Sequence, residues 1–377
     1  MIPDNCKLER FFARWEFSVE HLLCASDVDG YPMPDLLALA DDETRGLWEG
    51  LTLGYTETTG LPALREEIAQ QYTALNPADV TVCGGGAAEA LFLVANALLG
   101  PGTHAVVGWP AFEALHRVAA ATGAEVTAVP LDPDAGWRLD PDAVRKALRP
   151  TTRALFLNFP HNPTGALPSR AEFEELVGIG TEAGITVVSD EVYRYLEYEP
   201  GTTLPAACDL DPRAISVGVM SKAYGLAGLR IGWLASRDEE LLRTLRAIKD
   251  YTSVCASAPS EILALIALRA REQVVGRCRR IIDANLERVD EFFAEWADVF
   301  HWVRPRAGTV GFPRLLLATP VEEFVDDLAR SESVLLLPGS VFDCDDGRVR
   351  FGLGRASLPE GLRRLDGYLR RTVRGRA

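Results

Sequence analysis

The sequence predicts an α/β protein with two parts: a large domain on a mostly parallel sheet, then a smaller α+β domain. Two observations carry that expectation. From about residue 36 to 270, short apolar runs bounded by turn residues alternate with stretches of helical periodicity. This is the pattern of a sheet covered by helices on both faces. From about 271 to 377, one long helical stretch leads into short β-rich runs and a last helix. The chain has 377 residues, 47% of them hydrophobic, ample material for two cores.

Taken in order, residues 1–35 read as an N-terminal arm that packs with the small domain: a helix, then an irregular loop through Ser26, Asp27, Asp29 and Gly30. Strands are expected at 79–82, 104–108, 153–158, 185–190, 214–219 and 230–235, with helices at 61–72, 87–99, 112–122 and 170–183. A long helix is expected at about 273–296, small-domain strands near 309–317, 333–337 and 348–353, and a final helix from about 359. In open α/β sheets ligands sit beyond the carboxyl ends of the strands, so strand ends organise the search for function.

The bulk properties exclude several classes. The formal net charge is −15, which disfavours nucleic acid, whose phosphates attract basic faces. Seven cysteines are scattered without a C-x-x-C pair, so neither a disulfide framework nor a metal site is expected. The first twenty residues mix charges among apolar side chains, unlike a signal peptide. No apolar run is long enough to span a bilayer. A cytoplasmic location without membrane partners is the expectation.

Four strand ends carry possible chemistry. Ser221-Lys222-Ala223-Tyr224-Gly225 follows an apolar strand. A lysine near apolar walls and other cations has a lowered pKa, which makes its amine a nucleophile toward an aldehyde. Arg230, eight residues on, offers a fork suited to phosphate. Asp190 ends another strand and is followed by Tyr193. It reads either as a helix N-cap or as a buried acid needing a cationic partner. Asn158-Phe159-Pro160-His161-Asn162-Pro163-Thr164-Gly165 is a proline-rich turn in which Asn162 could donate a hydrogen bond and His161 reads as a turn residue. Gly84-Gly85-Gly86-Ala87-Ala88 opens a helix whose first N–H groups attract phosphate. It lacks the dinucleotide spacing G-x-G-x-x-G, which argues against a nicotinamide dehydrogenase. Phe112 follows Trp109-Pro110-Ala111 and could stack on a planar ligand or serve the core.

Asn162-Pro163-Thr164-Gly165, Asp190-Glu191-Val192-Tyr193, and Ser221-Lys222 followed by Gly228-Leu229-Arg230-Ile231-Gly232, in this order, resemble the class I/II aminotransferases of the fold type I superfamily dependent on pyridoxal 5′-phosphate (PLP). The resemblance covers roughly residues 50 to 375 and implies a seven-stranded sheet. It implies that Lys222 carries the cofactor and shuttles the proton at the substrate α-carbon. Asp190 would pair with the ring nitrogen, and Tyr193 and Asn162 with the phenolic oxygen. Phe112 would stack on the ring, while Gly86, Ala87, Ala88, Ser221 and Arg230 bind phosphate. Tyr55 would reach a neighbouring subunit's phosphate, which implies a homodimer with shared sites. Arg350 would clamp the α-carboxylate of an amino-acid substrate, with Arg348 as the alternative on the same strand. Val219 departs from the family pattern, which commonly has Ser or Thr there for the phosphate.

The strings Leu8-Glu9-Arg10-Phe11, Asn158 to Pro163, Ser221 to Leu226 and Lys249-Asp250-Tyr251 are also similar to capreomycidine synthase and related hydroxyarginine cyclases. That likeness implies dehydration and ring closure of a hydroxy-L-arginine in antibiotic biosynthesis. A guanidinium with a pKa above ~12 needs acidic neighbours. Glu9 and Glu16, a heptad apart on one helix face, and Asp27 are the candidates, whereas Asp29 reads as a turn residue. The alternative enzyme is an ordinary aminotransferase exchanging an amino group with a 2-oxo acid. A non-catalytic PLP-binding regulator is the alternative of another class, and it would need a basic DNA-binding segment that this sequence lacks.

Overall fold

The computed structural model describes residues 6–376. Its centre is a seven-stranded sheet of Val80–Cys83 (β1), His104–Trp109 (β2), Glu125–Pro130 (β3), Thr152–Asn158 (β4), Thr186–Asp190 (β5), Ile215–Val219 (β6) and Gly232–Ala235 (β7). The spatial order is β1-β7-β6-β5-β4-β2-β3. Strands β2 to β6 run parallel, and β7 lies antiparallel between β1 and β6. Strands β6 and β7 in the interior, and β1 at one edge, are buried at every position, as runs covered on both faces of the sheet require.

Six strands fall on the expected segments, and the seventh corrects the sequence reading. Strand β3 is an outer edge whose residues are mostly exposed or half-buried. Its mixed polarity gives none of the apolar run that marks the central strands.

Two glycines set the sheet's geometry. A Cβ on Gly218 of β6 would lie 2.2 Å from the Trp233 ring of β7. A Cβ on Gly232 would lie 2.7 Å from the Gly86 carbonyl carbon. The second glycine lets the helix Gly86–Leu98 start directly against the first residue of β7.

The arm begins with helix α1 (Lys7–Trp15), which buries Leu8 and Trp15. It continues into a short strand, His21–Leu22, that pairs in parallel with Val334–Leu335. The helix Arg271–Glu295 buries Val274, Cys278, Ile282, Asn285, Val289 and Phe292, a repeat of about one turn that presents one stripe inward. Buried Asn285 donates to the carbonyls of Leu353 and Arg355, tying that helix to the loop after the strand Val349–Gly352.

The C-terminal strands are shorter than expected. The span 309–317 holds two pieces, Val310–Gly311 and Arg314–Leu315, which pair with Val349–Gly352 and Phe300–His301 respectively. Pro313 between them has no N–H for a ladder. The span 333–337 breaks at Leu336, so Val334–Leu335 faces the arm and Leu337–Pro338 faces Val349–Gly352. Among the described residues, no helix is long and apolar enough to cross a membrane.

Candidate active site

A cavity of about 330 Å³ opens at the carboxyl ends of β4, β5 and β6. Register places Asn158 of β4 opposite Asp190 of β5, so both strands end at the same depth. The connections leaving these ends bring Asn162, Tyr193, Ser221 and Lys222 into the lining. Phe112, Ala87, Ala88 and Arg230 close it from the starts of neighbouring helices and loops. The arm supplies Leu8, Glu9, Phe12, Glu16, Ser26 and Asp27, and the C-terminal part supplies Arg350. A larger groove of about 800 Å³ runs on the far side of α1, against the helix Val321–Glu332, and contains none of the expected site residues.

Lys222 faces the cavity and donates from Nζ to Ser26 Oγ at 2.8 Å. Burial of the charged form lowers its pKa to about 8, with Arg350 and Arg230 adding to the fall and Asp27 and Asp190 opposing it. Asp190 is 3% exposed and accepts from the Val192 N–H at 3.3 Å. No helix follows it, so the N-cap reading is excluded. Burial raises its pKa to about 7. A buried carboxyl of this kind is stabilised as an anion only by a cation brought to it.

Asn158 fastens the floor. Its Nδ2 donates to the Asp190 carbonyl at 3.0 Å, and its Oδ1 accepts from the Asn162 N–H at 2.9 Å. The Tyr193 hydroxyl, fully buried, donates to the Ser26 carbonyl at 2.9 Å. His161 is a structural residue, as expected: its Nδ1 lies 2.7 Å from Thr164 Oγ1 and burial lowers its pKa to about 3.

Arg350 is fully buried in the cavity wall. Its Nε donates to the Cys24 carbonyl at 3.0 Å and its Nη1 to Asn162 Oδ1 at 3.3 Å, while Nη2 has no partner. A buried guanidinium with an unused N–H is costly unless a ligand completes it. Arg348 does not share this position. It lies over the Trp137 ring at 4.5 Å and pairs with Asp346.

Glu9, Glu16 and Asp27 all reach the cavity. Glu16 has a raised pKa, mainly from burial and then from the charges of Asp27 and Glu9. Glu16 therefore feels the negative charge of both other acids, partly offset by Arg355. Asp27 is already paired with Arg355 at 2.9 Å. Asp29 lies outside the lining; in place of the turn role expected of it, it pairs with Arg355 at 3.3 Å and accepts from the Ala356 N–H at 2.7 Å, tying the arm to the C-terminal part.

Gly86 stands at the first position of its helix with φ +71° but does not itself line the cavity. Tyr55 is 94% exposed and lies outside the cavity of its own chain. Val219 lines the wall where the family pattern has a hydroxyl. Sequence reasoning missed Ser26 and Asn158 as site residues. Asn158 stood in a quoted motif at a strand end, a sufficient signal. Ser26 contacts Lys222 across 196 positions, which no local pattern reports.

An amine of lowered pKa, a buried acid seeking a cation and an unpartnered guanidinium share one cavity with a helix start and Arg230. This donor set fits PLP and defines a PLP-dependent enzyme. Residues 22–365 match the family aminotransferase class I and II, and the chain belongs to it. It is 32% identical to capreomycidine synthase of Streptomyces vinaceus over 374 residues, covering 98% of this chain and 95% of that one. The crystal structure of a PLP-dependent aminotransferase from Streptococcus suis 89-1591 superposes with a TM-score of 0.92 at 30% identity, covering 98% of this chain and 99% of that one. That of the PLP-dependent cyclase OrfR gives 0.89 at 26% identity, covering 100% and 99%.

Proposed function

We propose that the enzyme dehydrates a hydroxy-L-arginine and closes its guanidine group onto the carbon chain, releasing a cyclic guanidino amino acid. One observation supports this above the rest. Glu9, Glu16 and Asp27 line the same cavity as Lys222 and Arg350, so an amino acid whose side chain ends in a cation finds acids at its far end. The likeness to capreomycidine synthase over nearly the whole chain points the same way.

Asp190 would hold the protonated ring nitrogen of PLP and Asn162 its phenolic oxygen, joined by the Tyr193 hydroxyl once it turns its one proton from the Ser26 carbonyl to that oxygen. Phe112 covers the ring. Ser221, Arg230 and the N–H groups of Gly86, Ala87 and Ala88 hold the phosphate, with Tyr55 reaching across a homodimer interface to the partner's site. When bound, PLP supplies a carbonyl that condenses with amines and a ring that accepts the electron pair left at an α-carbon.

Arg350 orients the substrate by its α-carboxylate, using the unpartnered Nη2. Lys222 removes the α-proton and later returns one to the same carbon. The β-hydroxyl leaves with a proton as water. A guanidine nitrogen then bonds to the β-carbon and gives up one proton, for which Glu16, with its raised pKa, is the acceptor. The net change is the loss of one water.

The test is incubation of the PLP-loaded enzyme with β-hydroxy-L-arginine. A product lighter by one water, with the cofactor spectrum returning to its starting form, is expected. A 2-oxo acid with stoichiometric formation of the pyridoxamine cofactor would make the enzyme a transaminase instead.

A further inference from the structure

Helix α1 carries Glu9 and is followed directly by Glu16, yet its N-terminus has no side-chain cap from its own segment. Cys6, the residue before its first turn, makes no capping hydrogen bond. The first N–H groups of any helix lack internal partners and carry partial positive charge. Here they are met from outside. Glu113, 2% exposed and 105 positions away, accepts from the Leu8 N–H at 2.8 Å and the Lys7 N–H at 3.1 Å. The Cys6 thiol adds a third contact at 3.1 Å.

Glu113 is the first residue of the helix Glu113–Ala121 and directly follows Phe112, which lines the cavity. Its carboxylate also pairs with Arg117 Nε at 2.9 Å. Arg117 in turn pairs with Asp343 at 2.7 Å, and Lys7 of the arm pairs with the same Asp343. His116 lies 3.8 Å from Asp343, and its pKa is lowered to about 4 by burial and by Arg117. It is therefore uncharged at neutral pH and leaves the aspartate to Lys7 and Arg117. One node thus joins the arm, the segment after Phe112 and the C-terminal part.

From these contacts we propose that Glu113 is the positioning residue of the substrate's far end. By capping α1 it fixes that helix in the register that turns Glu9, Phe12 and Glu16 into the cavity. It does not touch substrate and acts through the arm. The inference rests on the reading that the arm acids receive a guanidinium, but the ordering of the arm is measurable without any substrate.

The test compares the PLP-loaded wild type with Glu113→Ala, Glu113→Gln and Asp343→Asn. Hydrogen exchange over residues 7–16 reads arm order. KM and kcat for hydroxy-arginine, against a short uncharged amino acid, read recognition. In Glu113→Ala, exchange should quicken and the KM for hydroxy-arginine rise, each about tenfold or more, as expected on losing charge-assisted bonds to buried N–H groups. The KM for the short amino acid should hold. Glu113→Gln, which keeps an oxygen acceptor, should recover part of both losses. Asp343→Asn, outside the buried contact, should loosen the arm by a smaller factor and reports even when Glu113→Ala fails to fold. Unchanged exchange overturns the proposal. So does faster exchange with an unchanged preference between the two substrates. Failure of the substrate reading shows separately, as a wild type with no preference for the guanidino side chain; exchange alone then decides.

Discussion

The Nζ of Lys222 lies 2.8 Å from the hydroxyl of Ser26. The Ser26 carbonyl accepts from the Tyr193 hydroxyl at 2.9 Å and the Thr309 hydroxyl at 2.8 Å. A single arm residue therefore touches the lysine through its side chain while its backbone is fastened from two directions. Ser26→Ala keeps the backbone contacts and removes only the acceptor for the amine. Turnover should fall about tenfold to a hundredfold, the cost of a hydrogen bond to a charged or reacting group. Cofactor content and melting temperature should remain near wild type. Steady-state rates beside the visible absorbance check it. Unchanged turnover would leave Ser26 only its backbone role.

Covalent capture of PLP should depend on one amine. Borohydride reduction of the holoenzyme should label the peptide containing Lys222, and Lys222→Ala should lose the label and about a thousandfold or more of turnover.

The pH dependence of that capture follows from the lowered pKa of about 8. Below this value the amine is mostly protonated and unreactive, so capture by the apoprotein should quicken with rising pH, reach half its maximum near pH 8 and level off above it. A solvent-exposed lysine would reach its midpoint only at about 10.4. Asp190 favours the protonated amine and Arg350 disfavours it. Asp190→Asn should therefore move the midpoint down and Arg350→Ala should move it up. The apoprotein's stability follows the same sign. Between pH 8 and the unfolded lysine value, the unfolded chain holds the extra proton, so this group adds stability as pH rises through the window. Stopped-flow absorbance across pH measures the capture rates.

Gly218→Ala should destabilise the fold without touching the cavity lining. The added methyl would lie 2.2 Å from the Trp233 ring. That ring cannot turn freely, because Trp233 Nε1 donates to the Tyr72 hydroxyl at 2.8 Å. Overpacking of this kind costs about 1–3 kcal/mol. Thermal melting of the holoenzyme reads the loss, and a melting temperature equal to wild type would show that the strands shift to make room.

The sheet and the strand-end chemistry were legible because central strands are unbroken apolar runs and each ends in polar residues. Asp190 and Lys222 announce themselves by ending or following such runs. Strand β3 was not legible, since an edge strand needs no apolar run. Register favoured Arg350 and left Arg348 open. The folded contacts separate them: Arg350 bonds Cys24 and Asn162 in the cavity wall, while Arg348 lies on Trp137 and pairs with Asp346. Ser26 and Glu113 act over 196 and 105 positions, and contacts of that span arise from the folded arm.

The arm acids should not contribute equally. Glu16 has a raised pKa from burial and from the charges of Asp27 and Glu9, so a cation entering among them relieves repulsion as well as forming new contacts. Asp27 is compensated by Arg355 at 2.9 Å, so less of its charge is available to a ligand. Glu16→Gln and Glu9→Gln should each raise the KM for hydroxy-arginine about threefold to thirtyfold, between the worth of exposed and of desolvated charge pairs. The KM for a short uncharged amino acid should stay put. Asp27→Asn should weaken hydroxy-arginine less than Glu16→Gln, because Arg355 already offsets the Asp27 charge and keeps Asp29 as a partner at 3.3 Å once Asp27 is gone. Binding of the cation should lower the Glu16 pKa, so ligand binding in mildly acidic buffer should release protons, and Glu16→Gln should abolish that release. Titration calorimetry in buffers of different ionisation enthalpy counts those protons. Equal affinity for hydroxy-arginine in wild type and Glu16→Gln would remove the arm from substrate recognition.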